Sequence, residues 1–121
     1  MNANIFISDQ PFQLEIGGSL GGIQIGYHTY GQLNKTKSNV VWVCHALTAN
    51  SDPVEWWPGL VGDGFVINPK EHFIICANIL GSCYGSTHPL SVNPNKGKPY
   101  FSDFPLITIR DMVNAHILLA K

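Results

Sequence analysis

The sequence predicts an α/β protein with a mixed sheet, antiparallel where the chain begins and parallel inside. Three observations predict it. Val40 to Cys44 and Phe73 to Ala77 are short, unbroken apolar runs, the pattern of strands buried on both faces. About thirty residues separate them, room for the crossover that parallel strands need. The last segment then changes to a helical apolar period.

The elements follow in order. Phe12, Leu14 and Ile16 alternate with polar residues, as do Ile23, Ile25 and Tyr27, and Gly17-Gly18-Ser19-Leu20-Gly21-Gly22 lies between them. Two half-buried strands joined by a glycine-rich turn are expected. Gly31 to Asn39 is polar and turn-like. Val40 to Cys44 is the first central strand. The crossover contains Trp56-Trp57-Pro58-Gly59 and reads as irregular rather than helical. Phe73 to Ala77 is the second central strand. Ile79 to Pro105 is a long loop rich in Gly, Ser, Pro and Asn, and loops of that length are functional or disordered. Tyr84, Tyr100, Phe101 and Phe104 argue against disorder. Ile109, Met112, Val113, His116, Ile117 and Ala120 then fall at i, i+3, i+4, i+7, i+8 and i+11 of a helix. Thr108 is placed to N-cap it, and Asp111 puts an acid in the first turn. No Gly or Pro closes the helix, so a further strand is expected after Lys121, making the helix a right-handed crossover.

Composition narrows the function. At 121 residues the chain is at most one domain, and we expect residues 1–121 to be one part of a single α/β domain. Charged residues are 12% of the chain, about half of the ~25% usual for soluble domains. A small domain exposes proportionally more surface and needs more charge. Further protein covering part of this surface would explain the deficit. The net charge of −1 offers no footprint for nucleic acid or an anionic membrane. No window approaches the ~18 apolar residues of a membrane span, and the N-terminus lacks the features of a signal peptide. The three cysteines form no disulfide framework and no Cys-x-x-Cys metal motif. Cys44 and Cys76 read as buried thiols within strands. A cytoplasmic location is the simplest expectation.

Several motifs are tempting. Gly17-Gly18-Ser19-Leu20-Gly21 matches the nucleophile-elbow pattern G-x-S-x-G. An elbow needs a strand before it and a helix after it, whereas alternation follows here, so a turn is the reading. Gly81-Ser82-Cys83-Tyr84-Gly85 follows an apolar run, but Pro89 defeats an immediate helix. Cys83 is therefore a loop cysteine beside a pocket. His45 directly follows the first central strand, where a catalytic base is conceivable, though the stronger reading is a ring that hydrogen-bonds to the loop backbone and holds its shape. Leu47 has two readings: an apolar plug for the core, or a backbone N–H that stabilises the oxyanion of a tetrahedral acyl intermediate. His28, His72, His88 and His116 show no metal-ligand spacing, and His116 lies on the apolar helix face as a satisfied core residue. Trp56 and Trp57 read as packing, and Arg110 and Asp111 as a solvated or capping pair. No phosphate-binding glycine loop is present.

Together the residues resemble a known family. Tyr27-His-Thr-Tyr-Gly-Gln-Leu-Asn34, His45-Ala-Leu-Thr48 and Trp57-Pro-Gly-Leu-Val-Gly62 are followed by Asn78-Ile-Leu-Gly-Ser-Cys-Tyr-Gly-Ser-Thr87, Asn93-Pro94, Gly97-Lys-Pro-Tyr100, Asp103-Phe-Pro105 and Thr108-Ile-Arg-Asp-Met-Val113. In this order they resemble the N-terminal part of the homoserine O-acetyltransferases, acyltransferases of the α/β-hydrolase fold in methionine biosynthesis. The resemblance implies acetyl transfer from acetyl-CoA to homoserine through an acyl-serine, with a His–Asp pair activating the serine. It assigns one oxyanion donor to the N–H of Leu47 and sets Thr48 beside the acyl or homoserine pocket. It places the nucleophile elbow and the His and Asp partners after Lys121, so no residue here is the catalytic serine, and this chain alone is expected to be inactive. The implied enzyme holds no cofactor or metal, uses acetyl-CoA as co-substrate, and works as a cytoplasmic homodimer. The family usually carries Gly where Ala49 stands, so a difference in the loop is expected there. Alternatives are a succinyl donor or a serine acceptor within the family, and a truncated non-catalytic protein of the same fold.

Overall fold

A computed structural model describes residues 2–121. The chain forms β1 (Asn4–Ser8), β2 (Phe12–Gln13), β3 (Ser19–Leu20), β4 (Ile23–Tyr30) and β5 (Val40–Val43). A short helix, α1 (Pro53–Trp56), precedes β6 (Phe73–Ala77), β7 (Val92–Asn93) and β8 (Lys98–Pro99). A 3-10 turn over Phe101–Asp103 leads to α2 (Ile109–Ala120). Strand order in the mixed sheet is β1-β4-β6-β5. Antiparallel and parallel pairings coexist, as the sequence predicts for a mixed sheet. The described residues divide into two compact units, one holding residues 2–4 and Tyr27–Ala77, the other Ile5–Gly26 and Asn78–Lys121.

In the first unit β5 runs parallel to β6, with Val40 opposite Phe73 and Val43 opposite Cys76. On its other side β6 pairs antiparallel with the second half of β4, Tyr27 opposite Ala77 and Tyr30 opposite Ile74. β6 is thus the interior strand, and Ile74, Cys76 and Ala77 are fully buried. Gly31 ends β4 at a φ of +80°, and a Cβ there would lie 2.0 Å from the His72 carbonyl oxygen. Only glycine fits such a contact. The crossover is irregular apart from the four residues of α1, as its composition predicts. Cys44 is a correction: it is exposed, whereas Cys76 is buried. The apolar run continues through residue 44, but the strand ends at Val43, and the chain has already left the sheet.

In the second unit the N-terminal hairpin differs from expectation. β2 pairs with β3, Phe12 opposite Leu20 and Gln13 opposite Ser19. The turn lies earlier, at residues 14–18, closed by the Leu14 N–H on the Gly18 carbonyl at 3.1 Å. Ile16 is exposed, and Ile23 and Ile25 belong to β4. Alternation identifies which residues face inward but not which strand they pair with. Gly17 and Gly18, both at positive φ, turn the chain before the first strand can lengthen.

The 78–105 segment is ordered by buried polar groups. Asn78 donates from its backbone N–H and its side-chain amide to the Gly26 carbonyl, at 2.8 and 3.0 Å. The Ser86 hydroxyl donates to the Asn78 carbonyl at 2.7 Å, and Thr87 Oγ1 accepts from the Gln24 N–H at 2.7 Å. His116 Nε2 donates to the same Asn78 carbonyl at 3.2 Å, which satisfies that histidine as expected.

Helix α2 begins where predicted, with Thr108 as N-cap and a complete capping box through Asp111. Asp111 and Ala115 are buried, whereas Ile109 is 78% exposed and Val113 and Ile117 are also exposed. Asp111 accepts from the Thr108 N–H at 2.8 Å and the Glu15 N–H at 2.9 Å. Arg110 pairs instead with Glu15, Nη1 to Oε1 at 2.8 Å.

Candidate active-site loop

The loop after β5 is built from a rigid strand end. β5 is held in register against β6 as far as Val43 and Cys76. Beyond it, Ala46-Leu47-Thr48-Ala49 forms a β-turn closed by the Ala49 N–H on the Ala46 carbonyl at 3.0 Å. Thr48 sits at φ +67°, while Leu47 and Ala49 are not in the left-handed region. Positive φ at the third position alone is the type II pattern, where Gly or Asn is usual. A β-branched residue there is an outlier and is strained. Ala49 follows the strained position and is itself outside the left-handed region, so alanine is at ease there.

The turn leaves its inner N–H groups unused. Among the described residues, no acceptor takes the N–H of Leu47 or Thr48. The Leu47 side chain is 92% exposed and plugs no core here. His45 Nδ1 lies 2.9 Å from the Ala46 carbonyl oxygen, the loop-shaping contact expected of it.

The far end of the loop is clamped. Asn50 accepts the Trp56 indole N–H on its carbonyl at 2.8 Å, and its side-chain oxygen accepts the Asp52 N–H at 2.8 Å. Ser51 Oγ and His28 Nδ1 share a hydrogen bond of 2.7 Å, both buried. The Tyr30 hydroxyl donates to Asp52 Oδ1 at 2.5 Å, and His28 Nε2 lies 3.9 Å from Asp52 Oδ2. Burial, then the Asp52 carboxylate, pushes the Tyr30 hydroxyl above its ordinary range, so it remains a donor. Burial, then Cys44 and Asp52, pushes the Cys76 thiol up to about 12, leaving it unreactive as a nucleophile.

The sequence-predicted residues Leu47 and Thr48 fall side by side in this turn. Ser19 lies in β3 opposite Gln13, not at a strand-to-helix elbow. Cys83 is exposed in a turn. Trp56 is held through its indole N–H, and Trp57 is exposed. Reading the sequence missed His28, Tyr30, Ser51 and Asp52 as a cluster. A signal existed: residues 28 and 30 share one face of a strand by its period of two. Among the described residues no group of three His, Cys, Asp or Glu could hold a metal ion, and no helix is long and apolar enough to cross a membrane.

Known proteins resemble this chain closely. A protein of Chlorobaculum tepidum named homoserine O-acetyltransferase is 54% identical over 116 residues, which cover 96% of this chain and 33% of the relative. A Chlorobaculum parvum protein of the same name is 57% identical with the same coverage. The chain thus spans about a third of the length of the curated relatives it matches. Among solved structures, homoserine O-acetyltransferase from Bacillus anthracis aligns with a TM-score of 0.84 at 32% identity, covering 98% of this chain and 35% of that one. Esterase E22 aligns with a TM-score of 0.84 at 30% identity, covering 98% of this chain and 36% of that one. No family model matches the chain.

Proposed function

Over about a third of their length the chain is a homologue of the homoserine O-acetyltransferases, and from that premise we propose that the gene product carrying it transfers an acetyl group from acetyl-CoA to the hydroxyl of homoserine. A serine oxygen attacks the thioester carbonyl, the C–S bond breaks, and CoA leaves as the thiol with the proton relayed by a histidine. The homoserine hydroxyl then attacks the acyl-serine, gives its proton to that histidine, and O-acetylhomoserine departs as the serine is restored. The serine, histidine and aspartate are expected beyond Lys121. Residues 1–121 supply the Leu47 N–H as one oxyanion donor, with Thr48 beside the acyl or homoserine pocket.

The observation that carries this reading is the turn at the end of β5. It leaves the Leu47 N–H without an acceptor, as a donor kept for a developing oxyanion requires. Within residues 2–121 the Leu47 side chain is exposed and packs into no core.

Leu47→Pro tests it directly. Proline suits the second position of a type II turn and removes the N–H, at the cost of an exposed leucine side chain. In the intact gene product, kcat for acetyl transfer should fall by about 10²–10³, the usual effect of one lost oxyanion donor, with little change in the unfolding midpoint. A kcat within threefold of the parent refutes the role. The same assay with succinyl-CoA, or with serine as acceptor, separates the family alternatives. A second reading, ester hydrolysis, draws on the similarity to esterase E22. Acetate released without O-acetylhomoserine would identify it. The resemblance also supports a cytoplasmic homodimer acting on small molecules, and light scattering of the intact product tests the dimer.

A further inference from the structure

We propose that His28 and Tyr30 are positioning residues for acyl transfer: through Ser51 and Asp52 they fix the far end of the Ala46–Ala49 turn and so aim the Leu47 N–H. The proposal rests on the reading of Leu47 as an oxyanion donor. The near end of the loop is fixed by the β5–β6 ladder at Val43 and Cys76. Between the two ends the turn holds itself with one backbone hydrogen bond, Ala49 to Ala46. It also contains Thr48 at φ +67°. A strained residue persists only where its surroundings over-determine it. The closing bond and the His45 ring both act on the Ala46 carbonyl, at the near end of the turn, and residues 50–52 fix the far end.

Ser51 is 1% and Asp52 9% exposed, so neither has room to move. Each is bound to β4, Ser51 by the His28 ring at 2.7 Å and Asp52 by the Tyr30 hydroxyl at 2.5 Å. β4 pairs with β6, and β6 with β5. One sheet therefore holds both ends of the loop, and the position of Leu47 is set relative to a single rigid frame. Misplacing a catalytic group by about 1 Å costs up to about 100-fold in rate. A slack clamp should therefore appear in kcat rather than in substrate binding.

The test compares three variants of the intact gene product. His28→Asn brings an amide to the position of Nδ1 and keeps the Ser51 contact; His28→Gln reaches the position of Nε2 and loses it. Tyr30→Phe removes one hydroxyl from a partly exposed ring. Expected are a fall in kcat of tenfold or more for His28→Gln and Tyr30→Phe, KM for acetyl-CoA and homoserine within twofold, and recovery to within threefold of the parent in His28→Asn. Amide hydrogen exchange at Ala49, whose N–H closes the turn on the Ala46 carbonyl, should quicken in His28→Gln and Tyr30→Phe only. Equal kcat in all three, measured per folded molecule, overturns the proposal, as does unchanged exchange. If a His28 variant does not fold, Tyr30→Phe decides alone by both measurements. A Leu47→Pro enzyme with parental kcat shows instead that the oxyanion reading failed, and the exchange result still judges the clamp.

Discussion

Replacing Thr48 with glycine should stabilise the protein while impairing the site. Thr48 holds a φ of +67°, a conformation that costs an L-residue about 1–2 kcal/mol. Glycine adopts it freely but loses about 0.5–1 kcal/mol more backbone entropy on folding. The side chain of Thr48 is exposed, so almost no packing is lost. The difference favours Thr48→Gly by about 0.5–1 kcal/mol. Urea unfolding at neutral pH measures it as a higher midpoint at unchanged slope. If Thr48 borders the acyl or homoserine pocket, kcat/KM falls in the same variant, the usual exchange of stability against activity. A loss of more than about 0.5 kcal/mol in Thr48→Gly would refute the strain argument. It would mean that the threonine side chain holds the turn together.

Asp111 should make the fold acid-sensitive. Burial opposes its ionisation, but the N–H groups of Thr108 and Glu15 outweigh it and hold the carboxyl below the usual carboxylate range. Its contribution is therefore present above an unfolded pKa of about 3.9 and is lost as pH falls through the lower folded value. Asp111→Asn turns an amide donor toward one of those N–H groups. It should cost about 1–3 kcal/mol at pH 7 and flatten the acid limb of a stability–pH curve; an acid limb like the parent's would contradict this. Gly31→Ala would place a Cβ 2.0 Å from the His72 carbonyl oxygen and 2.6 Å from that of Pro69. Adding overpacking to left-handed strain, we expect a loss of about 3–5 kcal/mol by chemical denaturation, and a loss under about 1 kcal/mol would show that the two carbonyls give way easily.

The parts legible in the sequence were those set by local chemistry. The unbroken runs at β5 and β6 announced parallel strands, although only β6 is buried and β5 is exposed at Val40 and half-buried beyond it; Thr108 with Asp111 announced the start of α2, because capping needs only residues three apart. What escaped depended on partners distant in sequence. The alternation around Ile23 and Ile25 could not say that β4 would leave the hairpin. The apolar period of α2 could not foresee that the Glu15 N–H, 96 residues away in sequence, would bond to Asp111. At the loop, Leu47 was singled out by the strand end before it and by the family resemblance, and Thr48 by the resemblance alone. His28 and Tyr30 were not, because their relation to Ser51 and Asp52 exists only once β4 lies beside β6.

The place of β6 between β4 and β5 has a consequence for how the chain is made. β4 and β5 are consecutive in sequence, yet neither finds a sheet partner in the other. During synthesis β5 emerges first and has nothing to pair with until Phe73–Ala77 has left the ribosome. Such non-local pairing is slow, and the exposed apolar run of β5 is prone to aggregate while it waits. A ribosome that pauses within the crossover would hold the nascent chain at this vulnerable point, with the strand that leads into the Ala46–Ala49 turn already made and its neighbour still to come.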